Sequence, residues 1–380
     1  MLHWPDSMIE TCKRWLRTGV VLVLLCSLSI GLSGAWWDGN SSQPKRESVL
    51  PAGNAITDGK ALLRYALPID NEPVRKMQRS LEEIATRIRG KRWSPISGDI
   101  AIASRVLTTQ ESQLLASIPE DQQPEAEAII SELQGGMDIL RQALELKDGE
   151  KLLETRAKLL EQISQLEELM VQEFPYEIPS EYSNLPQLKG RATVEFKTTK
   201  GDITIVADGY SAPITAGNFV DLVERGFYND LKFVRAEESY FLQVGDPPGK
   251  EEGFVDPKTG QERNIPLEIL VQGETEPLYG FTLEEMGRYR DQPVLPFSAY
   301  GTVALARPEP LPNGGSSQIF FFLFEPELTP AGLNILDGRF AAFGYVTQGK
   351  DVLENIQQGD VIQSAKVIKG AEHLIVPQGA

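Results

Sequence analysis

The chain has 380 residues, of which 41% are hydrophobic and 24% are charged, and its formal net charge is −17 at pH 7. This length and composition are typical of a globular protein with room for two domains. The acidic balance, without a basic cluster interleaved with aromatic residues, argues against nucleic acid as a partner because a phosphate backbone would be repelled.

The N-terminus has the order of a secretory signal peptide. Basic residues at positions 13, 14 and 17 precede an apolar run over residues 19–32, and small residues follow up to Ala35. We predict a signal peptide over residues 1–35 that is cleaved after about Ala35. An uncleaved membrane anchor is the alternative, although the run is shorter than the roughly 20 residues that a spanning helix needs. The cleaved chain is expected to be exported and peripheral to a membrane at most.

Cysteine and histidine usage limits the chemistry. Both cysteines, Cys12 and Cys26, lie in the predicted signal peptide, so no disulfide is expected in the mature chain. A lipid anchor on Cys26 is disfavoured because the bulky Leu25 precedes it. After cleavage His373 is the single histidine, which excludes Ser-His-Asp and Cys-His nucleophiles and disfavours a His-ligated metal. We expect neither a metal nor a cofactor.

The first folded region is helical in pattern. Residues 36–56 are predicted to form a flexible segment, and Thr57 or Asp58 is a suitable N-cap for a short helix over residues 60–67. Longer helices are predicted over residues 73–89, 100–118, 124–146 and 151–173, with a turn at Ser94-Pro-Ile-Ser-Gly98. Short connections favour antiparallel neighbours, so residues 57–174 are predicted to form an all-α up-and-down bundle.

The apolar stripe of the last predicted helix must be buried. It contains Leu152, Leu159, Ile163, Leu166 and Met170, at successive steps of seven, four, three and four residues. We interpret the stripe as bundle core, and a groove for a partner helix is the alternative. Because the region contains no catalytic constellation, we predict a docking or regulatory domain.

A proline-rich linker over residues 175–190 precedes a region with strand periodicity. A hairpin is predicted over residues 192–198 and 202–206, and helices are predicted over 213–224 and 350–357. The other predicted strands span 232–235, 241–244, 301–306, 319–324, 339–346, 361–368 and 372–376. Many short strands with two helices predict a closed antiparallel barrel over residues 191–380, because closure removes exposed edges.

Four motifs in this second region point to one family. They are Ala212-Pro-Ile-Thr-Ala-Gly-Asn-Phe-Val-Asp-Leu-Val-Glu-Arg-Gly-Phe-Tyr228, Phe233-Val-Arg-Ala-Glu-Glu-Ser-Tyr-Phe-Leu-Gln-Val-Gly-Asp246, Ser317-Gln-Ile-Phe-Phe-Phe322 and Leu336-Asp-Gly-Arg-Phe-Ala-Ala-Phe-Gly344. In this order they resemble the cyclophilin family of peptidyl-prolyl cis-trans isomerases. The resemblance implies an eight-stranded barrel capped by two helices, and proline-containing peptide segments of proteins as partners.

The resemblance also implies the site residues. Arg235 matches the catalytic arginine, and Gln243 matches the glutamine that holds a substrate carbonyl. Tyr240, Phe241, Phe320 and Leu336 match the walls of the proline pocket, and Phe340 is a further substrate-binding position. Ala306 and Gly315 fall in segments that line the adjoining groove, where the alignment is loose. Without the resemblance, Arg235 would be interpreted as a strand arginine paired with Glu237 or Glu238.

Five positions depart from the usual pattern of the family. Val234 and Phe340 stand where histidines are usual, Tyr240 replaces a phenylalanine, and Arg307 replaces a groove asparagine. Ile335 stands where a tryptophan favours cyclosporin binding, so weak drug sensitivity is predicted. These changes leave two functions open, an isomerase of weak activity and an inactive peptide-binding scaffold.

The segment between Asp246 and Ser298 is longer than in an ordinary cyclophilin, and we predict an acidic insertion over about residues 248–298. Long connections are often functional, so the insertion either covers or extends the groove or is surface decoration.

The order of leader, bundle, linker and divergent cyclophilin domain resembles the large thylakoid-lumen cyclophilins. In that family the helical domain is similar to the extrinsic Q-type subunits of photosystem II, and the proteins assist assembly or repair of that complex. The resemblance implies photosystem II subunits as partners and the cyanobacterial thylakoid lumen as the compartment, with the periplasm as the alternative. Repression of the groove by the bundle is a further possibility.

Overall fold

The computed structural model describes residues 56–237, 240–324 and 334–377. The predicted signal peptide and almost all of the predicted flexible segment lie outside these residues. The first part of the described chain is helical, and its helices are α1 (Gly59–Ala66), α2 (Glu72–Arg89), α3 (Ser94–Thr109), α4 (Glu111–Leu115), α5 (Gln123–Glu145) and α6 (Gly149–Leu169). None of the helices in the described ranges combines the length and apolar character that a membrane span requires.

The four long helices form the predicted helical domain. Helix α2 packs on α3, α3 on α5, α5 on α6, and α6 returns to α2. Their apolar faces form one buried cluster, which includes Leu152, Leu159, Ile163, Leu166 and Met170 of the predicted stripe. The stripe is therefore bundle core, as its periodicity indicates, and is not open to a partner helix.

The turn predicted at residues 94–98 is wrong. Helix α3 begins at Ser94 and continues through Gly98, and Pro95 lies in its first turn. A proline is accommodated there because the first N–H groups of a helix have no partner within the helix. The connection between α2 and α3 lies instead at residues 90–93, and the helix predicted over residues 100–118 is interrupted at Gln110, between α3 and α4.

The second part of the described chain is dominated by one eight-stranded antiparallel sheet. The strands of this part are β1 (Gln187–Leu188), β2 (Arg191–Thr198), β3 (Gly201–Asp208), β4 (Arg235–Glu237), β5 (Phe241–Val244), β6 (Glu268–Ile269), β7 (Leu278–Tyr279), β8 (Thr302–Leu305), β9 (Ile319–Phe322), β10 (Ala342–Gln348), β11 (Ile362–Lys369) and β12 (Leu374–Ile375). The order of the large sheet is β11-β2-β3-β10-β8-β9-β5-β4, and helices α7 (Pro213–Glu224) and α8 (Lys350–Asn355) accompany it. Strands β1 and β12 pair with each other, as do β6 and β7 of the insertion.

The sheet is an open, curled half-barrel in its strand pairing, whereas a closed barrel was predicted. Its order is linear, with β4 and β11 at the two ends. An isolated bridge between Lys232 and Val361 connects the segments that precede these end strands. The bridge is antiparallel and both end strands begin after it, so β4 and β11 extend in opposite directions from the bridge and do not pair with each other.

Helix α1 does not belong to the bundle core, although it precedes the bundle in sequence. Leu62, Leu63 and Ala66 pack in an apolar cluster with strands β8, β9 and β10 of the sheet. On the sheet side, Arg191 donates to the Leu63 carbonyl. On the bundle side, Arg75 donates to the carbonyls of Arg64 and Leu67 at 2.8 and 3.0 Å. Helix α1 therefore connects the bundle to the sheet.

Glu268 of strand β6 attaches the insertion to helix α7. Its carboxylate accepts hydrogen bonds from the N–H groups of Ile214 and Thr215 and from the Thr215 hydroxyl. These donors lie in the first turn of α7, where N–H groups lack partners within the helix and a negative charge is favoured. Burial nevertheless raises the pKa of Glu268 to about 7.

Substitution of Glu167 is expected to change how stability depends on pH. Glu167 is buried beside Arg75, and burial raises the pKa of Glu167 from 4.5 to about 7. An acid with a raised folded-state pKa stabilises the fold below pH 4.5, and this contribution, roughly 3 kcal/mol here, is lost as the pH rises through 7. Glutamine at this position does not titrate. We therefore expect the free energy of unfolding of Glu167→Gln, relative to that of wild type, to rise by about this amount when the pH goes from 4.5 to 8.

Chemical denaturation at several pH values measures this difference. Glu161→Gln is the matched control, because Glu161 lies on the same helix with its side chain 56% exposed. The raised pKa of Glu167 would be contradicted if Glu167→Gln and wild type differed in free energy of unfolding by the same amount at pH 4.5 and at pH 8.

Candidate active site

Three side chains of different chemistry lie in one row across neighbouring strands. The register pairs Arg235 of β4 with Gln243 of β5, and Gln243 with Phe320 of β9. Directly paired residues in an antiparallel sheet project from the same face. The guanidinium, the carboxamide and the phenyl ring therefore share one surface of the sheet.

Arg235 is at the open end of this row. Its guanidinium carbon lies 4.6 Å from the ring centroid of Phe241, and one of its nitrogens donates to Glu237. The sequence without the family resemblance predicts that Arg235 pairs with Glu237 or Glu238. The pair forms with Glu237, and Glu238 lies outside the described residues. The Arg235 side chain is 55% exposed, so the exposed ion pair stabilises the fold little and leaves the other donors accessible to a peptide.

Gln243 is oriented by a neighbour that sequence reasoning did not select. Its amide nitrogen donates to the side-chain oxygen of Gln318 at 2.5 Å, and Gln318 donates to the backbone carbonyl of Glu252 at 2.7 Å. This chain of bonds fixes the Gln243 amide group. Gln318 lies in the motif Ser317-Gln-Ile-Phe-Phe-Phe322, of which only Phe320 was predicted to be a site residue.

One cavity of about 750 Å³ brings together the predicted catalytic and substrate-binding residues. It is lined by all eight of them, namely Arg235, Tyr240, Phe241, Gln243, Ala306, Phe320, Leu336 and Phe340. Gly315, which was aligned loosely, is not among the lining residues, although its neighbours Gly314 and Ser316 are.

The apolar wall of the cavity is built from aromatic rings at steep angles. Phe340 meets Phe320 edge to face at 5.4 Å, and Phe241 meets Phe320 in the same way at 6.3 Å. Such edge-to-face pairs contribute about 0.5–1.5 kcal/mol beyond their buried area, so the rings hold one another in place. The wall lies beside Gln243 and Arg235, and the arrangement suits an apolar ring that is flanked by hydrogen-bonding groups.

Comparison with known proteins gives two family matches that divide the chain as the structure does. Residues 58–171 match the "CYP38-like, PsbQ-like domain" of peptidyl-prolyl cis-trans isomerases, and residues 193–373 match the "cyclophilin type peptidyl-prolyl cis-trans isomerase" family. A thylakoid-lumen peptidyl-prolyl cis-trans isomerase of Synechocystis is 53% identical over 363 residues, which cover 96% of each chain. The chain belongs to the cyclophilin-type peptidyl-prolyl cis-trans isomerases.

Two plant cyclophilins are also similar over both regions. The chloroplastic isomerase CYP38 of Arabidopsis thaliana is 45% identical over 87% of this chain and 78% of its own length. The chloroplastic CYP37 of the same plant is 33% identical over 84% of this chain and 71% of its own. The names of these plant relatives and of the Synechocystis relative confirm the predicted isomerase class, and the name of the Synechocystis relative gives the predicted thylakoid-lumen compartment.

The insertion of this cyclophilin contributes one side of the cavity. Lys250, Glu251, Glu252, Glu262 and Asn264 line the cavity together with the strand residues. The insertion therefore extends the groove, which was one of the two alternatives considered. With three carboxylates and one ammonium group, this side of the cavity is acidic.

Arg307 and Phe340, two of the departures from the usual cyclophilin pattern, contact each other. The guanidinium of Arg307 lies 5.1 Å from the ring centroid of Phe340 and donates to the Arg339 carbonyl at 2.6 Å. Further bonds run to the carbonyls of Pro308 and Glu309. Because these backbone carbonyls occupy its donors, Arg307 lines the cavity as a cation held over a ring and has few donors left for a peptide.

Ile335 offers a direct test of the predicted weak cyclosporin binding. It is 71% exposed and precedes Leu336, which lines the cavity. Because a tryptophan at this position would add a large aromatic surface beside the cavity, we expect Ile335→Trp to tighten cyclosporin A binding about tenfold. Fluorescence titration measures the Kd, with Ile375→Trp, on the exposed Ile375 of β12, as the control. An unchanged affinity in Ile335→Trp would show that Ile335 is not part of the drug surface.

Proposed function

We propose that this cyclophilin rotates prolyl bonds in lumenal proteins with Arg235 as the catalytic donor and Gln243 as the grip on the substrate carbonyl. The observation that carries the proposal is the cross-strand row in which Arg235, Gln243 and Phe320 follow one another on a single face. The proline ring occupies the apolar wall, and the flanking peptide groups lie along Gln243 and Arg235.

The chemistry needs no covalent intermediate. Rotation of a prolyl bond breaks amide resonance against a barrier of about 20 kcal/mol, and the uncatalysed reaction takes tens of seconds or longer. As resonance is lost, the lone pair localises on the prolyl nitrogen and becomes a hydrogen-bond acceptor. A donor that is present at this point binds the transition state more tightly than the substrate and lowers the barrier.

Each residue of the row has a distinct part in this reaction. Arg235 supplies donors that stay protonated at any physiological pH. Gln243, held by Gln318, donates to or accepts from the peptide group beside the proline. Phe320, Phe340 and Leu336 exclude water from the ring, which strengthens the polar interactions at its edge.

A peptide-binding scaffold is the second candidate function. Arg307, held by backbone carbonyls, and Phe340 alter the polar part of the groove, whereas the apolar wall that would bind a proline ring is intact. In this case the groove binds prolyl segments of assembling proteins, and the rate of rotation does not depend on Arg235.

Repression of the groove by the helical domain is a further possibility, but the bundle would not act by covering the cavity directly. In the described residues the cavity is lined by positions between 235 and 340, and none belongs to the bundle. Helix α1, however, packs against the same cluster as Phe320 and is bonded to the bundle through Arg75. We propose that any influence of the bundle on turnover passes through α1.

We also propose that the clients include photosystem II subunits. The support is the match of residues 58–171 to a PsbQ-like domain and the compartment shared with the lumenal relatives. In this proposal residues 1–35 are removed on export, residues 57–174 dock the protein to the complex, and the acidic insertion over residues 248–298 shapes the groove that receives the client segment.

Arg235→Ala tests the catalytic assignment. We expect kcat/KM for a prolyl test peptide to fall roughly 100-fold, the usual loss when one transition-state donor is removed. The Kd of the peptide should change only a few-fold, because the apolar wall is retained. A coupled isomerase assay measures the rate, and isothermal titration measures the Kd.

The matched control for this experiment is Arg290→Ala. Arg290 is an exposed arginine of the insertion that stacks on Tyr289 and does not line the cavity. Wild-type rates in Arg235→Ala, with normal peptide binding, would favour the scaffold over the enzyme.

Cross-linking in thylakoids tests the proposed clients. If the bundle is the docking domain, its exposed lysines, such as Lys147, Lys151 and Lys158, should give cross-links to lumenal segments of photosystem II subunits. Mass spectrometry identifies the linked peptides. Cross-links from the bundle that reach only proteins outside photosystem II would contradict this part of the proposal.

A further inference from the structure

A second aromatic ring supports the wall of the proline pocket from outside the cavity. Phe297, near the end of the insertion, stacks on Phe320 with ring centroids 5.9 Å apart and ring planes within 7° of parallel. Phe297 is 2% exposed, and it is not among the residues that line the cavity. Substrate in the cavity would therefore meet Phe320 and not Phe297.

The backbone of Phe297 holds a second wall residue. Its N–H donates to the Asp337 carboxylate at 2.8 Å, and its carbonyl accepts from the Asn334 side chain at 3.0 Å. Asn334 in turn accepts from the N–H of Leu336 at 2.9 Å. Leu336, which lines the cavity, is thus flanked by two residues that are both bonded to Phe297.

The remaining neighbours of Phe297 restrict its own position. Its ring meets Phe322 edge to face at 5.6 Å, and it lies in the same apolar cluster as Leu62 and Leu63 of α1. The next residue, Ser298, donates to the carbonyl of Ile56 at 2.7 Å. A close-packed ring with fixed backbone bonds has little freedom to move, so it is a firm support for what packs on it.

We propose that Phe297 is a positioning residue of the proline pocket, because its ring places Phe320 and its backbone places Leu336. The inference rests on the proposed function, since it assumes that these two residues bind the proline ring. A leucine in place of Phe297 would remain apolar but would remove the flat face on which Phe320 rests. Small displacements of binding groups weaken both ground-state binding and the alignment needed for reaction.

Phe297→Leu, assayed in the full mature chain, tests the proposal against Phe343→Leu. Phe343 is a fully buried aromatic of β10 in the other core of the sheet, away from the cavity lining. We expect both variants to lose thermal stability. Only Phe297→Leu should raise the Kd of a prolyl tetrapeptide about tenfold and lower kcat/KM by at least as much, while Phe343→Leu stays within twofold of wild type.

A second variant keeps the test decisive if Phe297→Leu fails to fold. Asn334 is half-buried, and Asn334→Ala removes its bonds to Phe297 and Leu336 while it leaves the bond between Phe297 and Asp337; we expect it to weaken peptide binding several-fold. The inference would be overturned if Asn334→Ala, and also Phe297→Leu where it folds, bound the peptide as tightly as wild type does. If the wild-type chain bound the peptide but did not accelerate rotation, the proposed catalysis would be contradicted. The role of Phe297 could still be tested, because the Kd is measured independently of turnover.

Discussion

The register of strand β5 between β4 and β9 is the constraint on which the site depends. It pairs Arg235 with Gln243 and Gln243 with Phe320, so that a cation, an amide and an apolar ring follow one another along one face. Side chains alternate between faces along a strand, and a slip of one residue in β5 would turn Gln243 toward the opposite face. The buried residues Leu242 and Val244 oppose such a slip, because they would leave the core. The same apolar pattern that folds the sheet therefore aligns the site.

Support for this face comes from parts of the chain that are distant in sequence. The insertion provides the acidic side of the cavity and the ring of Phe297 behind it, and Glu268 attaches the insertion to helix α7. Helix α1 packs on the same apolar cluster and is held at its carbonyls by Arg75 of the bundle and Arg191 of the sheet. The helical domain is thus in physical connection with the pocket wall, although it does not line the cavity.

The parts of the fold set by local pattern could be predicted from the sequence. The alternation in residues 241–244 marks strand β5, and the stripe that ends at Met170 marks the bundle core. Packing partners that are distant in sequence could not be predicted in this way. Leu62 and Leu63 would suit a bundle or a sheet equally, and nothing near Phe297 in sequence indicates a partner 23 residues later at Phe320. Strand pairing likewise decides whether a sheet closes, and β4 and β11 extend in opposite directions from the bridge between Lys232 and Val361.

Nuclear Overhauser contacts from a bound peptide would show whether the cross-strand row of Arg235, Gln243 and Phe320 binds the proline ring. A peptide with a carbon-13-labelled proline would be bound to the mature chain, and contacts from its ring protons to the protein would be assigned. We expect contacts to the ring of Phe320 and the methyl groups of Leu336. Contacts confined to exposed aromatic residues that do not line the cavity, such as Phe281 and Tyr289, would contradict it.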